Sequence, residues 1–242
     1  MTQRQEALKG NITKQMLRVS SDENRSPEEI RVGVAQGVIA IPFNPLHKNC
    51  QAIGVGRGLR TKVNANIGTS ADFPSLDDEL EKLEAALGAK TDFVMDLSTG
   101  GDVTAIRRAI IAKCPVPLGT VPIYQAMLEN KMTVDGMFSV VEQQACEGVD
   151  FMTIHCGVTF ETIGRLKKQP RLMGVVSRGG ALLMKWIIEN KEENPFYQQF
   201  DRLLEISQKY DITLSLGDGM RPGSIVDAGD QAQIQELVVL GD

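Results

Sequence analysis

Residues 62–98 read KVNANIGTSADFPSLDDELEKLEAALGAKTDFVMDLS. The stretch opens on KVNANIG (62–68) and closes on FVMDLS (93–98), both with the composition of strands. Between them Leu76, Leu80, Leu83 and Leu87 recur at spacings of four, three and four, which places them on one face of a helix. Ser75 with Asp78 resembles a capping box at its start. The order is therefore strand, helix, strand, and a helical crossover of this kind joins parallel strands.

The unit recurs along the chain. VPLGTVPIY (116–124), FMTIHCG (151–157), LMGVVSRGG (172–180) and TLSLGD (213–218) read as further strands. Helices are predicted near 102–113, 134–148, 180–191, 195–209 and 228–240. The strands are apolar on both faces, as buried parallel strands are. A doubly wound sheet calls for a glycine-rich phosphate loop after its first strand. The only such run, GVGRG (54–58), precedes the first clear strand and opens no helix, so it reads as a turn. The expected fold is α/β, a (β/α)8 TIM-type barrel of which about six of the eight βα units are present. Residues 1–60 differ, with two short helical stretches followed by IAIPFNP. They are expected to form an N-terminal extension packed on the sheet, with the barrel domain at 61–242.

Composition narrows the function. The 242 residues are 42% hydrophobic and carry a net charge of −5. An acidic chain is a poor binder of nucleic acid or of a membrane surface. No apolar run approaches the 18 or so residues of a membrane span, and MTQRQEALKG has no signal-peptide core. The expected location is the cytoplasm. Cys50, Cys114, Cys146 and Cys156 stand in no C-x-x-C pair and read as small buried thiols rather than metal ligands. The two histidines, His47 and His155, are too few for a metal site made wholly within these residues.

In barrels of this class the active site lies at the C-terminal ends of the strands. Those ends carry Asn66, then Met95 and Asp96, then Thr120 and Tyr124, then His155, then Ser177 and Arg178, and finally Asp218 and Arg221. Turn and capping chemistry accounts for one or two polar strand ends but not for six together. SRGG (177–180) puts backbone N–H groups and a guanidinium at a helix start, which suits an anion. In LSLGDGMRPGS (214–224) the glycines allow close approach to a ligand, Asp218 can accept from hydroxyls or an amine, and Arg221 can bind phosphate. The residues point to a site for a phosphorylated polar small molecule. A barrel aldolase or isomerase would want a lysine or paired acids at strand ends, and no lysine stands there.

KVNANIGTS, VMDLSTGGD, GTVPIYQA, FMTIHCGV, GVVSRGG and LSLGDGMRPGS resemble, in order and spacing, the signature blocks of the phosphomethylpyrimidine synthase (ThiC) family. The resemblance implies a radical rearrangement of 5-aminoimidazole ribotide to hydroxymethylpyrimidine phosphate, the pyrimidine of thiamine. It also implies S-adenosylmethionine, a [4Fe–4S] cluster, a divalent metal such as zinc, and a homodimer. Substrate contacts then fall on Asn66, Met95, Tyr124, His155, Ser177, Arg178, Gly179, Asp218, Gly219, Met220 and Arg221. The family continues through a substrate-binding glutamate, two metal-ligating histidines and a C-x-x-C-x-x-x-x-C motif, which do not occur in these residues. These residues alone are therefore not expected to perform the radical step. Two alternatives follow: 5-hydroxybenzimidazole synthesis from the same ribotide for an anaerobic cobamide, or a non-catalytic ribotide-binding homologue.

Overall fold

The computed structural model describes all 242 residues. Three helices open the chain: α1 (Gln3–Leu8), α2 (Lys14–Glu23) and α3 (Pro27–Ala35). Thr2, Thr13 and Ser26 cap them, each accepting a backbone N–H of the first turn. A small antiparallel pair follows, β1 (Ile39–Ala40) and β2 (Val55–Gly56). These elements have their own apolar cluster, built on Met16, Val19, Ile30, Val34 and Ile41.

The main sheet is parallel and has five strands in sequence order. They are β3 (Asn64–Ile67), β4 (Phe93–Asp96), β5 (Leu118–Thr120), β6 (Phe151–Ile154) and β7 (Thr213–Leu216). Between them run α4 (Leu76–Gly88), α5 (Val103–Lys113), α6 (Pro122–Leu128), α7 (Val134–Glu147), α8 (Phe160–Lys168), α9 (Arg178–Asn190), α10 (Pro195–Gln198) and α11 (Phe200–Tyr210). Helix α12 (Gln231–Gly241) closes the chain. None of the helices is long and apolar enough to cross a membrane.

The parallel α/β class and its successive βα units are as expected, with two corrections. Residues 172–180 form no strand, and β6 pairs directly with β7, so the sheet has five strands where six were expected. The backbone N–H groups of Leu172 and Met173 donate to the Asp227 carboxylate, at 2.9 and 3.1 Å, instead of to a ladder. The third strand is also shorter than VPLGTVPIY suggests. Pro122 stands at the first position of a helix, where its missing N–H is no loss, so Tyr124 belongs to α6.

Register sorts the strand residues onto two faces. Val94, Leu118, Met152 and Ile154 are fully buried in the 30-residue core cluster with Leu83, Ile106, Ile110, Met137 and Val141 of the helices. The other face carries Asn66, its register partner Met95, Gly119, Phe151, Thr153 and Ser215. There Phe93 and Phe151 meet edge to face with ring centroids 5.8 Å apart. An added Cβ at Gly119 would collide with the Phe151 ring. The C-terminal half of this face is polar and partly open.

The N-terminal residues do not lie on a face of the sheet. They bond across its N-terminal edge, to residues that immediately precede the strands. Before β4, Asp92 pairs with Arg60 and accepts from Val63 N at 2.8 Å. Before β5, the carbonyls of Cys114 and Pro115 accept from His47 Nε2 and Gln51 N, both at 2.9 Å. Before β6, Asp150 is buried and accepts from Asn44 N at 2.8 Å, Leu118 N at 2.7 Å and His47 Nδ1 at 2.6 Å. Before β7, Asp211 accepts from Gln3 N at 3.1 and 3.2 Å. This edge is closed by protein, which leaves the C-terminal edge for a ligand.

Candidate substrate site

Strand β6 runs out into His155, which alternation places on the same face as Thr153. The imidazole is buried. Asn194 fixes the turn behind it by donating to the carbonyls of His155 and Val158, both at 2.9 Å. Two glycines make room for the ring. A Cβ on Gly179 would lie 2.5 Å from Nδ1 and 2.8 Å from Nε2, and one on Gly217 would lie 2.9 Å from Cδ2. Ser177 caps α9 by accepting from Gly180 N at 3.2 Å, and its hydroxyl lies 3.3 Å from His155 Nε2. The Ser177 hydroxyl can donate to Nε2 or accept from it, so this bond suits either neutral tautomer of the imidazole. Nδ1 has no partner in the protein. Burial holds the imidazole down to about 4, with Asp218 pulling upward and Arg221 downward.

Strand β7 ends in the loop 217–221. Gly217 N bonds to Ile154 O at 2.8 Å, which carries the ladder one residue past the strand. Gly180 and Gly219 touch backbone to backbone, since a Cβ on Gly180 would sit 2.7 Å from Gly219 Cα. Met220 is fully buried, so neither its side chain nor its backbone is open to a ligand, contrary to the contact expected there. Its N–H donates to Glu236 Oε2 at 2.8 Å, and its carbonyl accepts from Arg171 Nη2 at 2.5 Å. Arg171 is itself held by Asp230 through two bonds of 2.6 and 2.7 Å. Asp218 and Arg221 point outward and pair at 3.2 Å. An exposed pair of this kind is worth little, so both side chains are free to turn to a ligand.

The other candidate residues stand on α9, α6, β3 and β4. Arg178 is the first residue of α9, beside the helix's free N–H groups, and its guanidinium lies 5.4 Å from the centre of the Tyr124 ring. Burial pushes the Tyr124 hydroxyl up, while the charges of Arg178 and Arg221 pull it down. Asn66 and Met95 lie side by side on β3 and β4, and Asn66 accepts from Asn64 Nδ2 at 2.8 Å. The site thus combines two cations, a helix N-terminus, a carboxylate, a phenol and a neutral imidazole.

The model of the Radical SAM ThiC family matches residues 2–242. The chain belongs to this family. All of it aligns with the phosphomethylpyrimidine synthases of Moorella thermoacetica at 53% identity, Desulforamulus reducens at 54% and Desulforudis audaxviator at 56%. The chain spans 58% of the length of each of these relatives.

Two strand-end residues lie away from this candidate site. Asp96 and Thr120 face the helices. Thr120 donates to Gln144 Oε1 at 2.6 Å, Gln144 donates to Gln125 Oε1 at 2.7 Å, and Arg107 donates to the same oxygen at 2.9 Å. Asp96 is buried beside this network, and burial raises its pKa. Conversely, Glu236, Arg171, Asp230 and Asn194 serve the site and were not anticipated. Each acts through backbone that approaches only in the fold, so no local pattern marks them.

The ThiC family implies a [4Fe–4S] cluster and S-adenosylmethionine. The cysteines here do not fit a cluster. Cys114 and Cys156 are buried, Cys146 is exposed on α7, and burial raises the thiols of Cys50, Cys114 and Cys156. Donor atoms of His47, Cys50 and Asp150 lie within 4.8 Å of one another. His47 Nε2 faces a carbonyl and Nδ1 faces the Asp150 carboxylate, so both nitrogens carry protons. Burial lowers the imidazole's pKa, but the bond and charge of Asp150 outweigh it and the net direction is up. No lone pair is left for a metal, and the trio is a structural anchor.

Proposed function

We propose that these residues form the ribotide-binding part of a phosphomethylpyrimidine synthase. The substrate is 5-aminoimidazole ribotide, and the product is 4-amino-5-hydroxymethyl-2-methylpyrimidine phosphate. The observation that carries the reading is Arg178 beside Tyr124 at a helix N-terminus that packs against the loop presenting Asp218 and Arg221. Two cations and free N–H groups suit a phosphate monoester. A nearby carboxylate suits the ribose hydroxyls and the amine.

Arg178 holds the phosphate with Arg221. Asp218 accepts from the sugar hydroxyls or the amine. His155 is kept neutral and offers a single N–H. Asn66 and Met95 line the neighbouring strands, while Ser177 and Gly179 set the imidazole, and Gly219 and Met220 set the loop. The radical step itself is not assigned to any residue here, because their thiols do not fit the cluster. S-adenosylmethionine, the cluster and a divalent metal such as zinc belong to the reaction, but none is assigned to a residue of this chain, and two copies are expected to associate.

The complete natural protein, reduced and supplied with the ribotide and S-adenosylmethionine, should release the pyrimidine phosphate, identified by mass. Release of 5-hydroxybenzimidazole would overturn the product assignment. Tight ribotide binding without any product would favour the non-catalytic reading. An Arg178→Ala variant that binds the ribotide as tightly as the parent would overturn the phosphate assignment.

A further inference from the structure

Met220 is held from both sides by buried charge. Glu236 of α12 receives its N–H at 2.8 Å, and Arg171, which precedes the 172–177 segment, grips its carbonyl at 2.5 Å. Arg171 also donates to Arg221 O at 3.2 Å and is locked on Asp230. Glu236 is 3% exposed, and its second oxygen, Oε1, is buried without a partner. The fold makes space for it, because a Cβ on Gly157 would lie 2.7 Å from Glu236 Cγ and one on Gly219 would lie 3.1 Å from Oε1. A carboxylate buried with an unpaired oxygen is costly. This carboxylate and the Arg171 guanidinium converge on Met220, one of the two residues between Asp218 and Arg221.

We propose that Glu236 and Arg171 are positioning residues that clamp the backbone of Met220 and so set where Asp218 and Arg221 meet the ligand. The proposal rests on the ribotide reading of this site. Neither residue touches the ligand. They act through a two-point hold on a glycine-flanked loop that would otherwise sample many conformations.

Burial pushes the Glu236 carboxyl up to about 7; the Met220 and Gly219 N–H groups and Arg171 draw it down, and Asp218 pushes it further up. The other titratable group near it is the Cys156 thiol, held at about 11 and neutral near pH 7. Helix α8 packs on α12, and its buried residues, Thr162 and Ile163, do not titrate. The buried carboxyl holds its proton more tightly than it would in water, so ionisation opposes the clamped state and the clamp loosens as pH rises through about 7.

The test uses the complete natural protein with Glu236→Ala, Glu236→Asp and Glu236→Gln. Amide hydrogen exchange over 217–221 is measured without ligand, and ribotide affinity is measured by calorimetry at pH 6, 7 and 8. Ala removes the acceptor and Asp withdraws it, so exchange should rise and affinity fall, each roughly tenfold. Gln keeps an acceptor and should restore affinity to within about twofold at pH 6. It should also lack the parent's fall in affinity between pH 6 and 8. The phosphate titrates equally in both proteins, so the difference between the profiles belongs to Glu236. If Ala does not fold, Asp is read in its place. Parental exchange and affinity in the Ala or Asp variant would overturn the clamp. Failure of the parent to bind the ribotide would overturn the ribotide reading instead, and the exchange data would still decide whether the loop is clamped.

Discussion

The α-carbon of Gly179 sits against the imidazole of His155, so close that a single added methyl would lie 2.5 Å from Nδ1. Gly179 is in the first turn of α9 with ordinary helical backbone, so its lack of a side chain serves the neighbour and not its own conformation. Alanine there should favour the helix slightly while forcing the imidazole from its place.

A Gly179→Ala variant should therefore keep its secondary structure and lose ribotide affinity by about tenfold or more, since small displacements of a positioned group are expensive. Calorimetric titration with circular dichroism as the control checks this. Parental affinity would show that His155 does not need its present position.

His155 also sets a pH dependence of stability. Burial holds its folded-state value at about 4 against 6.5 for a free imidazole, so the unfolded chain binds the extra proton. Stability from this group is present above pH 6.5 and is lost as pH falls toward 4, by about 3 kcal/mol in all. Asp211 and Glu236, raised to about 6 and about 7, run the other way and lose stability as pH rises through those values. The measurement is the difference in unfolding free energy between the parent and His155→Gln, taken from pH 4 to 8. A difference that does not change across that range would refute the neutral imidazole.

Asp150 anchors the N-terminal residues beneath β6. Replacing it with alanine strands His47 and the N–H groups of Asn44 and Leu118 in the interior. Breaking a buried pair from one side costs about 3–5 kcal/mol, to be read as a lower midpoint in urea. A loss below about 1 kcal/mol would contradict the anchor.

The thiols should differ in reactivity. Cys146 is exposed, whereas Cys114 and Cys156 are buried and held at about 11. Iodoacetamide at pH 8 should modify Cys146 first and leave Cys114 and Cys156 unmodified until the protein unfolds. Peptide mapping distinguishes the sites.

Much of this was legible in the sequence because the parallel strands are short apolar runs separated by helices with a clear face. His155, Asp218 and Arg221 were legible as polar residues where such runs stop, and Ser177 and Arg178 as the start of a helix. The errors have local causes. LMGVV has a strand's composition, yet Asp227, 54 residues beyond Met173, claims its N–H groups. PIY follows a strand, yet Pro122 begins a helix. Asp96 and Thr120 were placed by proximity to strand ends, but the pleat sends them to the opposite face. Glu236 and Arg171 were invisible because their partner is backbone 16 and 49 residues away.

The sealing of the N-terminal edge bears on how the chain reaches this structure. Its first 60 residues leave the ribosome before any partner they bond to. Gln3 waits for Asp211, 208 residues later, and His47 waits for Asp150, 103 residues later. Contacts of such separation form slowly, because a long loop must close before they give any stability. During synthesis the helices α1 to α3 therefore rest on their own apolar cluster alone. The bottom of the sheet is closed only after β7 has emerged, which makes docking of the N-terminal residues a late step in folding.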